Sequence, residues 1–111
     1  MTVNVKVLVP AKIAEAVQTT QYTATGVTAI IDKMTATNYS AAAATISVNL
    51  VTGASAAGSD NLIVKTKTLQ AGESYTFPEI VGAALEAGGF ISTLAGTASA
   101  INIRASGREI S

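Results

Sequence analysis

Few residues in this chain could do chemistry, and their spacing argues against most of what they could do. Histidine and cysteine are absent from all 111 positions. That removes the commonest general base, the thiolate nucleophile and the usual zinc ligands. The hydroxyls of Thr19, Thr20 and Ser106 therefore have no imidazole to activate them, and nothing marks a Ser–Lys or terminal-Thr arrangement. Gly58-Ser59-Asp60-Asn61 could offer oxygens to Ca²⁺. A calcium loop needs several closely spaced carboxylates, however, and this segment has one, so it reads as a loop-to-strand turn. Asp32, Asp60, Glu73, Glu79, Glu86 and Glu109 share no motif for paired acid–base work. Gly82-Ala83-Ala84 and Gly88-Gly89 lack the pattern of a phosphate loop and read as corners. The expectation is a protein that is not an enzyme, with no catalytic residue, cofactor or metal.

What remains is surface. Seven basic and seven acidic side chains give zero formal net charge. The cations are scattered, unlike the massed footprint of a nucleic-acid binder. Only 13% of residues are charged, low against the roughly 25–35% expected on the exposed face of a free monomer. This composition fits either a surface partly covered by a partner or a neutral surface dominated by Ala, Thr, Ser and Gly. Candidate partner-binding residues are Val3, Val5, Val7 and Val9, which alternate along the N-terminal segment, and Lys65 and Lys67, two apart on one face of a strand. Edge-strand lysines that discourage aggregation are the plainer account of the lysine pair. The five aromatics, Tyr22, Tyr39, Tyr75, Phe77 and Phe90, are too dispersed for a base-stacking platform and are expected in the core or an interface. The N-terminal run is not expected to act as a signal peptide, since Pro10 ends it early, and no window of the sequence is apolar enough for a membrane span.

Periodicity of two dominates the chain and predicts all-β architecture. Residues 1–12 read as a strand or extended arm, and 13–111 as one sandwich domain. A short, uncapped helical turn is expected over 11–18. Strands are expected over 19–24, 27–38, 45–51, 61–69, 73–77, 90–94 and 100–110. In the second of these, the long strand, Ile30, Met34 and Ala36 are expected to share a face. In the third, Ile46, Val48 and Leu50 point inward with Ser47 and Asn49 outward, and residues 52–60 form an exposed mobile loop. The pentapeptide Leu69-Gln70-Ala71-Gly72-Glu73 returns as Leu85-Glu86-Ala87-Gly88-Gly89. Both copies read as corners, with the leucine as core anchor and Gly72 or Gly88 supplying a positive φ. The result is a single-domain antiparallel β-sandwich, jelly-roll-like, of about eight strands.

Several of these marks recur together. They are Tyr22 followed by a turn and a long Ile-rich strand ending at Asn38, the run Asn61-Leu62-Ile63, the two Leu-x-Ala-Gly corners, and Ser106-Gly107-Arg108-Glu109 near the end. In this combination, over about residues 18–110, the chain resembles small virion structural proteins of tailed bacteriophages. Gly89 departs from the pattern, which commonly has Asp there. The resemblance implies a homo-oligomer assembled in the host bacterial cytoplasm and located in the virion, with the major capsid protein or other virion proteins as partners. A head decoration or cement protein is the first expectation, and a neck or tail connector, collar or fibre-base component the second. A carbohydrate-binding module using Tyr22, Tyr39 or Tyr75 is a more distant third.

Overall fold

The alternation of β-branched with small polar residues becomes nine strands in the computed structural model, which describes residues 1–111. They are β1 (Val3–Ile13), β2 (Thr19–Thr23), β3 (Thr28–Asn38), β4 (Ala44–Val51), β5 (Leu62–Leu69), β6 (Ser74–Tyr75), β7 (Ala84–Leu85), β8 (Phe90–Ala95) and β9 (Ile101–Ile110). Two antiparallel sheets result. One has the order β1-β9-β3-β6, with β7 also on β3, and the other β2-β8-β4-β5. If β6 and β7 are two pieces of one strand, eight strand positions in these two orders make a jelly roll. The expected sandwich is therefore present, with the long strand β3 inside its sheet.

Between the sheets lie Ile31, Met34, Ile46, Val48, Leu69, Phe77, Ile80, Ile91, Ile101 and Ile103, all essentially fully buried. Each such side chain contributes roughly 1.5–3 kcal/mol of burial. Buried alanines, among them Ala29, Ala36, Ala95 and Ala105, alternate with these large residues and let the two faces interdigitate. The segment between β6 and β7 acts as a plug. Phe77 takes a positive φ of 48° and turns inward, its ring 4.8 Å from that of Tyr75, and Ile80 follows it into the core. The expected strand over 73–77 is thus only Ser74–Tyr75.

Bulges in β1, β3 and β5 move side chains to faces that plain alternation misses. In β1, Val7 stands opposite Ser106 but Val9 opposite Ala105, so Leu8 is the extra residue and both Leu8 and Val9 are buried. In β3 the register slips between Ile31 and Lys33. Ile31, Met34 and Ala36 consequently share the core, while Ile30 lies half-buried outside it. In β5, Val64 faces Val48 and Lys67 faces Ile46, leaving Lys65 and Thr66 together against Ser47. Thr66 takes a φ of 43° and donates its N–H to Ser47 Oγ at 2.8 Å.

Other expectations also change. No helix forms over 11–18, because β1 continues to Ile13 and Ala14 N–H then bonds the Ile101 carbonyl at 2.8 Å. Strand pairing overrides a weak local helical preference. Leu50 is only half-buried, and Val51 is buried instead. Asn49 is covered too, by the 52–61 loop. Its Nδ2 donates to Gly58 O at 2.9 Å and to Asn61 Oδ1 at 2.7 Å, and Asn61 Nδ2 donates to Ala56 O at 2.9 Å. Small as its side chains are, this loop is tied down by two asparagines.

The twin corners do the same topological job in opposite directions. Leu69–Glu73 carries the chain from β5 in one sheet to β6 in the other, and Leu85–Gly89 brings it back from β7 to β8. Glu73 N–H bonds Gln70 O at 3.0 Å, and Gly89 N–H bonds Glu86 O at 2.8 Å. Gly72 and Gly88 have φ of +78° and +88°, a region where a side chain would clash. Each corner is also stitched to a distant strand end, Gly72 N–H to Asn38 O and Gly88 N–H to Ala24 O.

Candidate functional site

Of the two expected forms for residues 1–12, the chain takes the strand. β1 lies at the edge of its sheet, paired on one side with β9, and its first five residues, Val3 to Val7, run in unbroken register. The other sheet edges are blunted. β6 and β7 are two residues each, β2 is five residues with a register slip between Thr20 and Tyr22, and β5 carries the bulge and its lysines. Val3, Val5 and Val7 are 48%, 82% and 40% exposed. Register places them on the outer face of the sheet, opposite Ile110, Arg108 and Ser106. Beside them lie the half-buried Ile30 and Ile110. Val9 does not belong to this surface: the bulge turns it into the core at 1% exposure.

Lys65 and Lys67 do not share a face. The bulge sends Lys65 to the outer side, where it lines a groove with Gln18, Ser47 and Asn49. Lys67 takes the core-side row at the end of the sandwich, its Nζ 4.8 Å from the centre of the Tyr75 ring. No joint lysine patch exists.

Charged groups elsewhere are mostly tied. Tyr22 O–H donates to Glu109 Oε2, whose other oxygen meets Lys6 Nζ at 3.3 Å, bridging the two sheets. Tyr75 O–H donates to Glu79. Arg108 grips Asp32 with two nitrogens at 3.0 and 2.9 Å, Asp32 being the residue that the β3 bulge ejects. Lys12 pairs with Glu15 at 2.9 Å, and Gln21 Nε2 donates to the other Glu15 oxygen. With two of the three tyrosine hydroxyls occupied by carboxylates, Tyr39, 52% exposed, is the most open aromatic. No three His, Cys, Asp or Glu side chains lie close enough together to hold a metal ion.

These contacts set a pH profile. The Tyr22 hydroxyl holds Glu109 below the ordinary carboxylate range, the Tyr75 hydroxyl does so for Glu79, and Gln21 followed by Lys12 does so for Glu15. Lowered folded-state values mean stability present above the unfolded pKa and lost as pH falls through the folded ones. In the opposite direction, burial and then Glu109 raise Tyr22, and hydrogen bonding to Glu79 pushes Tyr75 up to about 12. Their contribution is complete below the unfolded tyrosine value near 10 and is lost above it. The urea midpoint should therefore be flat between about pH 5.5 and 9 and fall on both sides. Glu109→Gln should shallow the acid limb, and an unchanged limb would show that this bridge is not formed in solution.

One grouping was invisible in the linear sequence. Lys33 lies opposite Ser106, Thr35 opposite Arg104, and Thr37 opposite Asn102, so three residues of β3 and three of β9 form two polar rows on the outer face. With Ala11 they line an open groove of about 330 Å³. Only the pairing of β3 with β9 brings these residues together.

No protein-family model matches the chain, and neither a curated protein nor a solved structure shows significant similarity to it.

Proposed function

We propose that the protein is a structural component of a tailed-bacteriophage virion, acting as a decoration or cement protein that binds and stabilises the head shell. The observation that carries this reading is the β1 edge. Its first five residues, Val3 to Val7, present free backbone groups and a row of exposed valines in unbroken register before the bulge at Leu8 and Pro10 interrupt the strand, with Lys6 the one charge among them. Such an edge supports strand addition to a neighbouring chain, with pockets for alternate side chains supplying register. The jelly-roll order is used by viral capsid domains among others, which is an argument from architecture alone. The sequence resemblance to phage virion proteins adds to it. On this reading the partners are the major capsid protein or other virion proteins and further copies of the chain. A lattice of weak contacts then gains avidity through repetition.

Quantitative mass spectrometry of purified particles tests the proposal. Hundreds of copies per particle are expected, and a dozen or fewer would favour a neck or tail position instead. A substitution isolates the edge. Val5→Lys places a charge on the most exposed valine of β1, so it should leave the melting temperature within about 2 °C while weakening binding to shells stripped of the protein by roughly tenfold or more. Unchanged binding would remove β1 from the interface.

A further inference from the structure

We propose that the outer groove between β3 and β9 is a docking site for an acidic peptide segment of a partner protein. Three of the seven cations are neutralised by carboxylates, Lys6 by Glu109, Lys12 by Glu15 and Arg108 by Asp32. Lys67 lies against the Tyr75 ring and Lys65 lines a different groove. Lys33 and Arg104 are the remaining two, and both line this concavity. Because Lys33 pairs with Ser106 and Thr35 with Arg104, the two cations are diagonal neighbours across the ladder, about 7–8 Å apart at the backbone. Like charges so placed repel, and an anion between them removes that cost. No carboxylate lines the groove. The nearest along the chain, Asp32, is already held by Arg108.

The shape selects a peptide over other anions. From the Thr37–Asn102 pair to the Lys33–Ser106 pair the polar rows extend for about 13 Å, at roughly 3.3 Å per residue. That is more than one isolated anion fills and suits about four extended residues. Thr35, Thr37, Ser106 and Asn102 offer hydroxyl and amide groups to a peptide backbone, while the Arg104 fork takes a carboxylate through two parallel N–H bonds. No aromatic ring lines the groove to stack on a sugar. Two cations are too few for the phosphate contacts of a nucleic acid. The proposal deepens the virion reading by giving a second contact besides β1. It is tested on the isolated protein, so either idea can fail without the other.

The experiment is an amide NMR titration with an acetylated tetrapeptide of alternating Glu and Asp, alongside its Gln/Asn counterpart. Shifts should cluster at Lys33, Thr35, Asn102, Arg104 and Ser106 with the acidic peptide and be absent with the neutral one. K33A/R104A should weaken binding at least tenfold and K65A/K67A should not. Silence at millimolar peptide, equal binding of the neutral peptide, shifts centred elsewhere, or indifference to K33A/R104A would each overturn the proposal. A uronic-acid oligosaccharide that binds the groove where the peptide does not would overturn it as well.

Discussion

Asn38→Ala should cost about 3 kcal/mol and lower the melting temperature by roughly 10–20 °C, although the side chain is small and touches no ligand. Asn38 is fully buried at the end of β3. Its Nδ2 donates to Ala42 O at 2.8 Å and to Leu69 O at 2.9 Å, and its Oδ1 accepts from Ser40 N–H at 2.9 Å and Ser40 Oγ at 2.7 Å. Its backbone binds Glu73 O and Gly72 N–H. One residue therefore pins the β3–β4 turn, the end of β5 and the first corner. Alanine keeps the backbone bonds but strands the Leu69 carbonyl and the Ser40 N–H away from a partner, and unsatisfied buried groups carry the full desolvation cost. Differential scanning calorimetry decides the matter. A loss under about 5 °C would mean that water replaces the side chain without penalty.

Gly107→Ala should be at least as damaging, for a reason of space. Gly107 sits in β9 between β1 and β3, opposite Lys6 on one side and Ile31 on the other. A methyl group there would lie far inside contact distance of the Ile30 carbonyl oxygen and 3.0 Å from Leu8 Cδ1. Both neighbours belong to bulged stretches, so the two bulges and the bare glycine form one unit, and relief requires backbone movement in β3. We expect about 3 kcal/mol or more, seen as low soluble yield or a melting temperature reduced by more than roughly 12 °C. Gly96→Ala is the informative comparison. Its added methyl would strike Thr45 Oγ1, the tip of a side chain that can rotate, so its loss should be clearly smaller. Equal losses would mean that the Gly107 site relaxes as easily as a rotamer.

The sequence was most legible where alternation is uninterrupted and turns are written in glycine. Ile101, Ile103 and Ala105 face the core as their spacing implies, and both Leu-x-Ala-Gly corners take their chain reversals at Gly72 and Gly88. It misled wherever a bulge intervenes. An extra residue such as Leu8, Asp32 or Thr66 carries no composition signal, yet each reverses the parity of the residues after it. That is why Val9, Ile30 and Lys67 lie on faces other than those their spacing implied. The polar rows of Lys33 and Arg104 were unreadable for another reason: their contact depends on which distant strands pair, a tertiary fact. Asn38 falls between these cases, since its position at a strand end is legible in the sequence but its network belongs to the folded state.

The strand order has a consequence in time. Apart from the β4–β5 hairpin, each long strand waits for a partner made much later, and β1 waits longest, because its only neighbour in the sheet is β9. Loop closure must precede the reward of pairing, which places such a topology among slow folders, with times of milliseconds to seconds. During synthesis β1 emerges well before β9 and stays unpaired in its sheet until β9 has left the ribosome. Its exposed edge is thus a hazard before it is an asset, and the chain's low charge gives little protection against wrong pairing in that interval.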